Sequence, residues 1–266
     1  MDVMLKFTII TPVYQGEETI KTCIESVLRQ SYSDFEYIIM DALSTDATVP
    51  IIKAYPDQRI RLISEEDKGL YDAFNKAIKI ATGDILCFLC ADDMYAEADA
   101  LRKVAAIFQA QPNLDIVYSD IVYVNRQDTN KVERFWKSSS FVPGLYQKGW
   151  LPPNTSFYVK RSSLQHIEPF NIDFKYAADY EFNYRLLEKL RLTSVYLPEI
   201  LVKMRSGGMS NSDIGGMIKS LKECYRVLVY HHVKFPFIYV WNTLFYRARQ
   251  LSIPQKVKDQ IRENVL

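Results

Sequence analysis

The sequence predicts an α/β protein built around a doubly wound, mostly parallel β-sheet. In the first 123 residues, short apolar runs alternate with helical stripes of apolar residues five times. Strands and helices that alternate in this way form a parallel sheet connected by right-handed crossovers. The composition suits a globular core, since 48% of the residues are apolar and 24% are charged. A chain of 266 residues is long enough for one large domain or two small ones.

The predicted strands are short runs of apolar and β-branched residues. The first ends at Pro12, and the second is closed by Asp41. Ligands of parallel sheets bind beyond the carboxyl ends of the strands, so we expect functional residues just after each strand. The five predicted strands cover residues 5–11, 35–40, 59–63, 85–89 and 115–123.

The predicted helices carry apolar residues at intervals of three and four, which gives each helix one buried face. Ser44, Thr45 and Asp46 are N-cap candidates for the second helix, which places Pro50 in its first turn. Gly83 ends the third helix. The four predicted helices cover residues 20–28, 44–54, 70–78 and 101–108.

Charge and motifs exclude several classes of protein. The 33 Lys and Arg residues balance 32 Asp and Glu residues, which leaves a net charge of +1 and disfavours nucleic-acid binding. The chain contains neither G-x-G-x-x-G nor G-x-x-x-x-G-K-[ST]. The absence of these glycine-rich phosphate loops argues against a dinucleotide dehydrogenase and a P-loop enzyme.

The four cysteines and the apolar runs predict a cytoplasmic protein. Cys87 and Cys90 have the spacing of a zinc or redox pair, but they fall in a buried strand with no second pair nearby. We therefore expect reduced thiols in a reducing compartment. The chain opens directly into a strand pattern rather than a signal peptide, and no apolar run reaches the ~20 residues of a membrane-spanning helix.

Adjacent carboxylates after the fourth strand are the strongest local signal. Asp92 and Asp93 follow a fully apolar run, where two acidic side chains are unfavourable unless they hold a cation. Their hard oxygen atoms suit Mg²⁺ or Mn²⁺ shared with a substrate diphosphate. Asp92 could instead cap the helix that follows. Asp41 also allows two interpretations: it could form a hydrogen bond to a base or ribose, or it could cap the helix that follows it.

Motifs along residues 5–210 resemble those of a family 2 glycosyltransferase with the GT-A fold. Each motif alone is weak, but seven in order at the expected spacing are specific. They include Thr11-Pro-Val-Tyr, Ser26-Val-Leu-Arg-Gln-Ser-Tyr, Asp41-Ala-Leu-Ser-Thr-Asp, Glu66-Asp-Lys-Gly-Leu-Tyr-Asp, Phe88-Leu-Cys-Ala-Asp-Asp, Pro153-Asn-Thr-Ser and Tyr176-Ala-Ala-Asp-Tyr-Glu.

The resemblance implies an inverting transfer of a sugar from a nucleotide-diphospho-sugar, expected to be a UDP-sugar, assisted by Mn²⁺ or Mg²⁺. The acceptor would be a hydroxyl group of a glycan or lipid-linked sugar in bacterial surface polysaccharide synthesis. By this resemblance Asp179 is the catalytic base, Asp93 binds the metal, and Asp92 lies near the ribose or metal. The residues expected to bind the nucleotide-sugar are Thr11, Pro12, Tyr14, Glu17, Asp41, Asp67, Lys68 and Asp92.

The chain departs from the family pattern at four positions. Ala42 and Ala47 stand where glycines are usual, Cys90 where Asn or Asp is usual, and Asn154 where His is common. We read these departures as changes of specificity. A catalytically silent nucleotide-sugar-binding protein is the alternative; a sugar-nucleotide pyrophosphorylase would need a basic, glycine-rich loop after the first strand.

The resemblance also divides the chain into parts. Residues 1–212 would be the GT-A catalytic domain, with a nucleotide-sugar-binding half at 1–123 and an acceptor-binding half at 124–212. Residues 202–210 resemble a flexible segment that closes over the donor, in which Lys203 or Arg205 could meet the diphosphate.

The remaining residues, 213–266, form a predicted helical C-terminal extension that interleaves basic and aromatic side chains. Such helices can lie on a membrane surface, so peripheral contact with the cytoplasmic face of a membrane is one expectation. A homodimer interface and packing against the catalytic domain are the alternatives.

Overall fold

The computed structural model describes residues 4–207 and 214–263, and in this part of the chain the β-strands form one nine-stranded sheet. The strands are β1 (Phe7–Val13), β2 (Phe35–Asp41), β3 (Ile60–Ser64), β4 (Ile85–Phe88), β5 (Asp93–Tyr95), β6 (Ile116–Val124), β7 (Val132–Trp136), β8 (Phe157–Lys160) and β9 (Ser194–Arg205). The helices are α1 (Ile20–Leu28), α2 (Thr48–Lys53), α3 (Leu70–Ile80), α4 (Ala100–Ala110), α5 (Ala178–Tyr184), α6 (Ile214–Tyr230), α7 (Pro236–Arg249) and α8 (Gln255–Glu263).

The sheet confirms the predicted α/β class with a mostly parallel core. The strand order is β3-β2-β1-β4-β8-β6-β9-β5, and β7 pairs with β6. Strands β1, β2, β3, β4, β6 and β9 run in one direction, and β5, β7 and β8 run in the other. The fifth predicted strand, β6, does not pair with β4, because β8 lies antiparallel between them.

Periodic apolar residues account for the first half of the fold. All seven residues of β1 are buried, as a strand covered on both faces requires. Helices α1 and α3 begin and end close to their predicted bounds and bury the predicted stripes against the sheet. Phe74 of α3 is fully buried and packs edge-to-face on Phe88 of β4, with ring centroids 5.1 Å apart. A Phe-to-Ala change in such a core costs about 3–5 kcal/mol.

The first strand runs through Pro12 rather than ending before it. Pro12 aligns with Met40 of β2, whereas the pairing of β1 with β4 ends at Ile10 and Phe88. Proline is tolerated in a strand where its missing N–H is not needed by a neighbouring strand. Strand β1 therefore carries Pro12 and Val13 beyond the edge of β4, toward the open end of the sheet.

The turn before α2 differs from the expectation in where the helix begins. Helix α2 starts at Thr48 and its N-cap position is Ala47, so none of the three N-cap candidates holds that position. Asp46, one residue earlier, accepts the Thr48 N–H at 3.0 Å. Pro50 lies in the first turn, as predicted. The positive φ of this turn, +56°, falls on Leu43 and not on Ala42 or Ala47, so the two alanines are accommodated without strain.

The last three helices pack against the rest of the molecule. Gly149 has a φ of +78°, and a Cβ atom there would lie 2.2 Å from the backbone carbon of Asn242 in α7. Glu223 of α6 accepts backbone N–H groups from the segment just before α5, including that of Tyr176 at 2.6 Å. None of the helices in the described residues combines the length and the hydropathy that a membrane span requires.

Candidate active site

A cavity of about 360 Å³ opens at the carboxyl ends of β1 and β4. Parallel sheets bind their ligands at this position, because the chain turns away from the sheet there and leaves a crevice. The cavity brings together five of the residues that the sequence analysis singled out. These are Pro12, Tyr14, Asp92, Asp93 and Asp179.

Asp93 is the most deeply buried carboxylate of the cavity. It begins β5, where pairing with Met204 of β9 fixes its backbone, and its side chain is 0% exposed. Its Oδ2 atom accepts a hydrogen bond from the Thr155 hydroxyl at 2.6 Å, whereas its Oδ1 atom is buried with no hydrogen-bond partner among the described residues. Burial, together with the negative charge of Asp92, raises the pKa of Asp93 well above its usual range. An isolated buried carboxylate oxygen of this kind is unfavourable without a cation or donor.

Cys90 completes a cluster of three potential metal ligands. One ligand atom each from Cys90, Asp92 and Asp93 lies within 4.8 Å of the others. Carboxylate oxygens suit Mg²⁺ and Mn²⁺, and a thiolate favours softer ions. The cluster therefore fits a divalent cation, and the unpartnered Oδ1 of Asp93 is the atom that such a cation would satisfy.

Two arginines support Asp92 from the outside of the cluster. Burial raises the pKa of Asp92, and the charges of Arg126 and Arg205 oppose this rise. Arg205 is 4% exposed and donates to the backbone oxygen of Asp92 at 2.9 Å and to the Thr22 hydroxyl at 2.8 Å. It thereby fixes the backbone of the segment that carries the two carboxylates.

Asp179 faces the same cavity from the first turn of α5. One carboxylate oxygen accepts the Tyr180 N–H at 2.8 Å, and the Tyr71 hydroxyl hydrogen-bonds to the carboxylate. Burial raises the pKa of Asp179, while these hydrogen bonds and the charge of Arg247 partly oppose the rise. A carboxylate with a raised pKa is a stronger base than an ordinary aspartate, as proton abstraction from a hydroxyl group requires.

Two of the predicted nucleotide-binding residues lie at the edge of the sheet but outside the cavity lining. The side chain of Thr11 points into the core, where its hydroxyl accepts a hydrogen bond from Tyr37 at 3.1 Å. Asp41 is buried at the end of β2 and accepts from the Ser64 hydroxyl at 2.5 Å and from the Ser44 N–H. These contacts fix the ends of β1, β2 and β3 relative to one another.

The other three predicted nucleotide-binding residues lie in turns. Glu17 accepts the Ala47 N–H at 2.9 Å, which ties the β1–α1 loop to the turn before α2. Asp67 accepts the Gly69 N–H at 2.8 Å, and the side chain of Lys68 is exposed. Their contact with a nucleotide stays a prediction.

The two basic residues of the predicted closing segment belong to a strand. Lys203 and Arg205 lie in β9, where Lys203 is 5% exposed and lines a second cavity of about 130 Å³. Burial lowers the pKa of Lys203. Residues 208–213, which include Gly208 and the end of the segment, lie outside the described residues. The contact of either basic side chain with a diphosphate stays a prediction.

The structure adds cavity residues that the sequence analysis did not place there. They come from elements far apart in the chain. Cys90 and Asn154 stand out in the sequence only as departures from the family pattern, and Arg247 only as part of the basic and aromatic tail. Trp136 belongs to the irregular stretch 124–152, whose aromatic residues are expected either to line an acceptor groove or to cover the sheet edge. The added lining residues used below are Tyr71, Cys90, Arg126, Arg134, Trp136, Asn154, Thr155 and Arg247.

Sequence comparisons point to one family. The model of the family described as Glycosyl transferase family 2 matches residues 8–172. A PGL/p-HBAD biosynthesis glycosyltransferase of Mycobacterium bovis is 33% identical over 210 residues, which cover 77% of this chain and 79% of the relative. An Escherichia coli UDP-Glc:alpha-D-GlcNAc-diphosphoundecaprenol beta-1,3-glucosyltransferase is 27% identical over 223 residues, or 83% of this chain and 84% of the relative.

Solved structures share the fold. TarS of S. aureus superimposes with a TM-score of 0.64 at 18% identity, covering 98% of this chain and 70% of that one. The mannosyltransferase PcManGT of Pyrobaculum calidifontis, in complex with GDP-Man and Mn²⁺, also gives a TM-score of 0.64 at 18% identity, covering 97% and 73%. At this level of identity the likeness establishes the GT-A-type fold.

Proposed function

The chain belongs to glycosyl transferase family 2, and from this premise we propose that it moves a sugar from a nucleotide-diphospho-sugar to a hydroxyl group of a glycan or lipid-linked acceptor. We propose a UDP-sugar as the donor. The name of the E. coli relative specifies UDP-Glc, and one TarS structure contains UDP-GlcNAc. PcManGT, which holds GDP-Man, shows that this fold also accepts another base.

One observation carries the proposal: the Asp92–Asp93 pair and Asp179 face the same cavity from opposite halves of the fold. The pair follows β4 in the first half, and Asp179 lies in the first turn of α5 in the second. A single displacement at a sugar carbon needs leaving-group stabilisation on one face and a base on the other. We propose residues 1–123 as the donor half, 124–212 as the acceptor half and 213–266 as the helical extension.

In the proposed reaction Asp179 removes the proton from the acceptor hydroxyl. The acceptor oxygen forms a bond to the anomeric carbon while the bond from that carbon to the diphosphate oxygen breaks, which inverts the configuration. The electron pair of the broken bond leaves with the nucleoside diphosphate. The hydrogen bonds from Tyr71 and the Tyr180 N–H orient the Asp179 carboxylate toward the cavity.

A divalent cation, Mn²⁺ or Mg²⁺, would be held by Asp93 with Asp92 and Cys90 beside it. When bound, such an ion neutralises charge on a diphosphate leaving group. Arg205 and Thr155 keep the two carboxylates in place by their hydrogen bonds to the Asp92 backbone and to Asp93 Oδ2.

For the nucleotide itself we propose a pocket between the β1 and β2 ends. Pro12 and the exposed ring of Tyr14 border the cavity there. Thr11, Glu17, Asp41, Asp67 and Lys68 would shape or contact the pocket.

The exposed aromatic side chains of the extension suit a membrane surface. Phe237, Trp241 and Phe245 of α7 are 60%, 61% and 56% exposed and follow each other at intervals of four residues, so they form one stripe. We propose that this stripe lies on the cytoplasmic face of a membrane, where a lipid-linked acceptor for surface polysaccharide synthesis is presented. A homodimer that covers the stripe is the competing arrangement, and sedimentation in the absence of lipid distinguishes the two.

Donor turnover tests the proposal. Purified protein is incubated with UDP-, GDP- and dTDP-sugars and Mn²⁺, and released nucleoside diphosphate is measured together with the anomeric configuration of the product by NMR. We expect release from one donor, its loss in Asp93→Ala and at least a hundredfold reduction in Asp179→Asn. Asp173→Asn, an exposed aspartate outside the cavity lining, is the matched control and should turn over normally.

Two results would contradict this function. Protein that binds no nucleotide-sugar in calorimetry is not a transferase of this kind. If the protein binds a donor normally, but its release of nucleoside diphosphate is the same in Asp179→Asn with every acceptor tried, it is a catalytically silent binding protein.

A further inference from the structure

Three nitrogen donor groups of the cavity take no direct part in the reaction described above. They belong to Arg134 and Trp136 of β7 and to Arg247 of α7, and all three residues line the cavity. The Trp136 Nε1 and the Arg247 Nη1 atoms are buried and have no hydrogen-bond partner among the described residues. Buried donors without partners are rare, because each loses its hydrogen bonds to water without replacement.

The two guanidinium groups line the same cavity and carry like charges. Burial lowers the pKa of Arg134, and the positive charge of Arg247 contributes to this shift. Arg134 lies over the rings of Tyr123 and Trp136, at 4.5 and 5.4 Å from their centroids, and donates from Nε to the Gln250 side chain at 2.6 Å. Among the described residues neither arginine forms an ion pair with a carboxylate within 4 Å. Arg247 acts on the charge of Asp179 without forming an ion pair with it, so the two half-buried guanidinium groups remain available to a bound anion.

The position of this cluster separates it from the metal ligands. Arg247 acts on the pKa of Asp179, whereas Arg126 and Arg205 act on that of Asp92. The cavity lining thus contains Arg126, which acts on Asp92 of the proposed metal site, and separately Arg134 and Arg247, of which Arg247 acts on the proposed base. An anion bound by Arg134 and Arg247 would therefore belong to the acceptor, which carries the nucleophilic hydroxyl group, and not to the nucleotide that leaves.

Helix α7 connects this cluster to the exposed aromatic stripe. Arg247 follows Phe245 by two residues, a rotation of about 200° on an α-helix, so it points away from the stripe and into the cavity. One helix therefore presents a cation to the cavity and Trp241 and Phe245 to the outside. This arrangement matches a molecule with an anionic head and an apolar tail.

We propose that Arg134, Arg247 and the Trp136 indole N–H form an anion subsite for a phosphate or diphosphate that links the acceptor sugar to a lipid. The inference rests on the proposed function and adds the chemical class of the acceptor. Arginine supplies planar, charge-assisted hydrogen bonds to phosphate oxygens, and the indole N–H adds a directional donor. The lipid leaves the cavity along α7.

Binding of lipid diphosphates to nucleotide-loaded protein tests the subsite. The protein is first saturated with the nucleoside diphosphate that it binds among UDP, GDP and dTDP, with Mn²⁺ in excess. Farnesyl diphosphate, farnesol and inorganic pyrophosphate are then titrated in calorimetry. We expect farnesyl diphosphate to bind the loaded protein with at least tenfold higher affinity than either of the other two, since the anion and the chain contribute separately.

The variants locate the interaction. Arg247→Gln should weaken farnesyl diphosphate binding by about tenfold or more, and Trp136→Phe, which keeps the ring but removes the donor, by a smaller factor. Arg247→Lys should restore part of the affinity. Arg249→Gln, an exposed arginine of the same helix, should leave the affinity unchanged. Circular dichroism verifies that each variant is folded.

Several outcomes would overturn the subsite. Unchanged affinity in Arg247→Gln and Trp136→Phe would mean that the anion binds elsewhere. If farnesyl diphosphate binds only by displacing the nucleotide, these residues belong to the donor site. If inorganic pyrophosphate binds as tightly as farnesyl diphosphate, the lipid chain contributes nothing to binding. Failure of every nucleoside diphosphate to bind would instead contradict the proposed function itself.

Discussion

At the scale of single residues, the candidate site depends on carboxylates whose surroundings change their proton affinity. Asp179 and Asp93 are both held in places where burial raises their pKa. The proposed reaction needs Asp179 ionised, so activity is lost as the pH falls through its pKa. Because that pKa is raised, the loss occurs at a higher pH than for an ordinary aspartate.

Removing the Tyr71 hydroxyl should shift this low-pH loss of activity to a still higher pH. The Tyr71 hydroxyl hydrogen-bonds to the Asp179 carboxylate and lowers its pKa. In Tyr71→Phe the ionised form loses that stabilisation, so the acid limb of kcat/KM against pH should shift upward by about 0.5–1 unit. A profile identical to that of the unmodified protein would show that Asp179 is not the group that titrates.

Cys90 should give the metal cluster an affinity for softer ions. Its thiol lies with carboxylate oxygens of Asp92 and Asp93 inside a 4.8 Å cluster. Binding of Cd²⁺ should produce thiolate charge-transfer absorption that is absent in Cys90→Ser. Cys90→Asp should bind Mn²⁺ about tenfold more tightly in calorimetry and bind Cd²⁺ less well. Cd²⁺ spectra that are the same with and without the thiol would exclude Cys90 from the cluster.

At the scale of elements, α6 positions the segment that carries the proposed base. The carboxylate of Glu223 accepts the backbone N–H groups of Lys175 at 3.1 Å, Tyr176 at 2.6 Å and Ala177 at 3.1 Å, just before α5. A negative charge at a helix start is also favourable to the helix dipole. Asp179 lies in the first turn of that helix.

Glu223→Gln should therefore affect both stability and turnover. The amide offers one acceptor atom instead of two and brings its own N–H groups toward backbone donors, so the free energy of unfolding should fall by about 1–3 kcal/mol. The transfer rate should fall while nucleotide binding, measured by calorimetry, is unchanged. Arg226→Gln is the matched control, since Arg226 is exposed and reaches Glu223 only at 4.0 Å. Equal turnover in both variants would contradict a positioning role.

Asp120 makes the stability of the central strand pH-dependent. It is 4% exposed in β6, and burial raises its pKa to about 6, although the Ser138 N–H and the Tyr196 hydroxyl donate to it. A carboxyl group with a higher pKa in the folded than in the unfolded state stabilises the fold below about pH 4, and this contribution is lost as the pH rises through about 6.

Asp120→Asn should remove that loss, because the amide oxygen can accept both hydrogen bonds without a charge. We expect the variant to be more stable than the unmodified protein by about 1–3 kcal/mol at pH 8 and similar to it at pH 4. Urea unfolding at the two pH values measures the difference. A variant that is less stable at both would show that the ionised form is the favoured one.

At the scale of the whole molecule, the C-terminal helices complete the cavity. Helix α7 passes so close to Gly149 that a Cβ atom there would lie 2.2 Å from the Asn242 backbone. The same helix brings Arg247 to the cavity. Docking of α7 on the sheet domain and assembly of the proposed acceptor subsite are thus one event.

A comparison of Gly149→Ala with Gly144→Ala should separate the free energy of α7 docking from the backbone strain of a positive φ. Gly144 has a similar positive φ, +88°, but a Cβ atom there would meet only the Gln147 amide at 3.9 Å. Gly144→Ala should cost about 1–2 kcal/mol from backbone strain alone, and Gly149→Ala clearly more, with lost farnesyl diphosphate binding. Chemical denaturation gives both values. If both substitutions lower the free energy of unfolding equally, α7 shifts to accommodate the added Cβ atom without loss of stability.

The sequence by itself determined the features that depend on neighbouring residues. Apolar periodicity predicted α1, α3 and the first strands, because burial of a stripe or run is a local requirement. The acidic pair was visible because Asp92 and Asp93 interrupt an apolar run. Only the tertiary structure decided that β8 inserts between β4 and β6, and that Trp136, Arg247 and Asp179 line the same cavity. Those arrangements join segments far apart in the chain, and their free energy comes from packing and charge that no local pattern records.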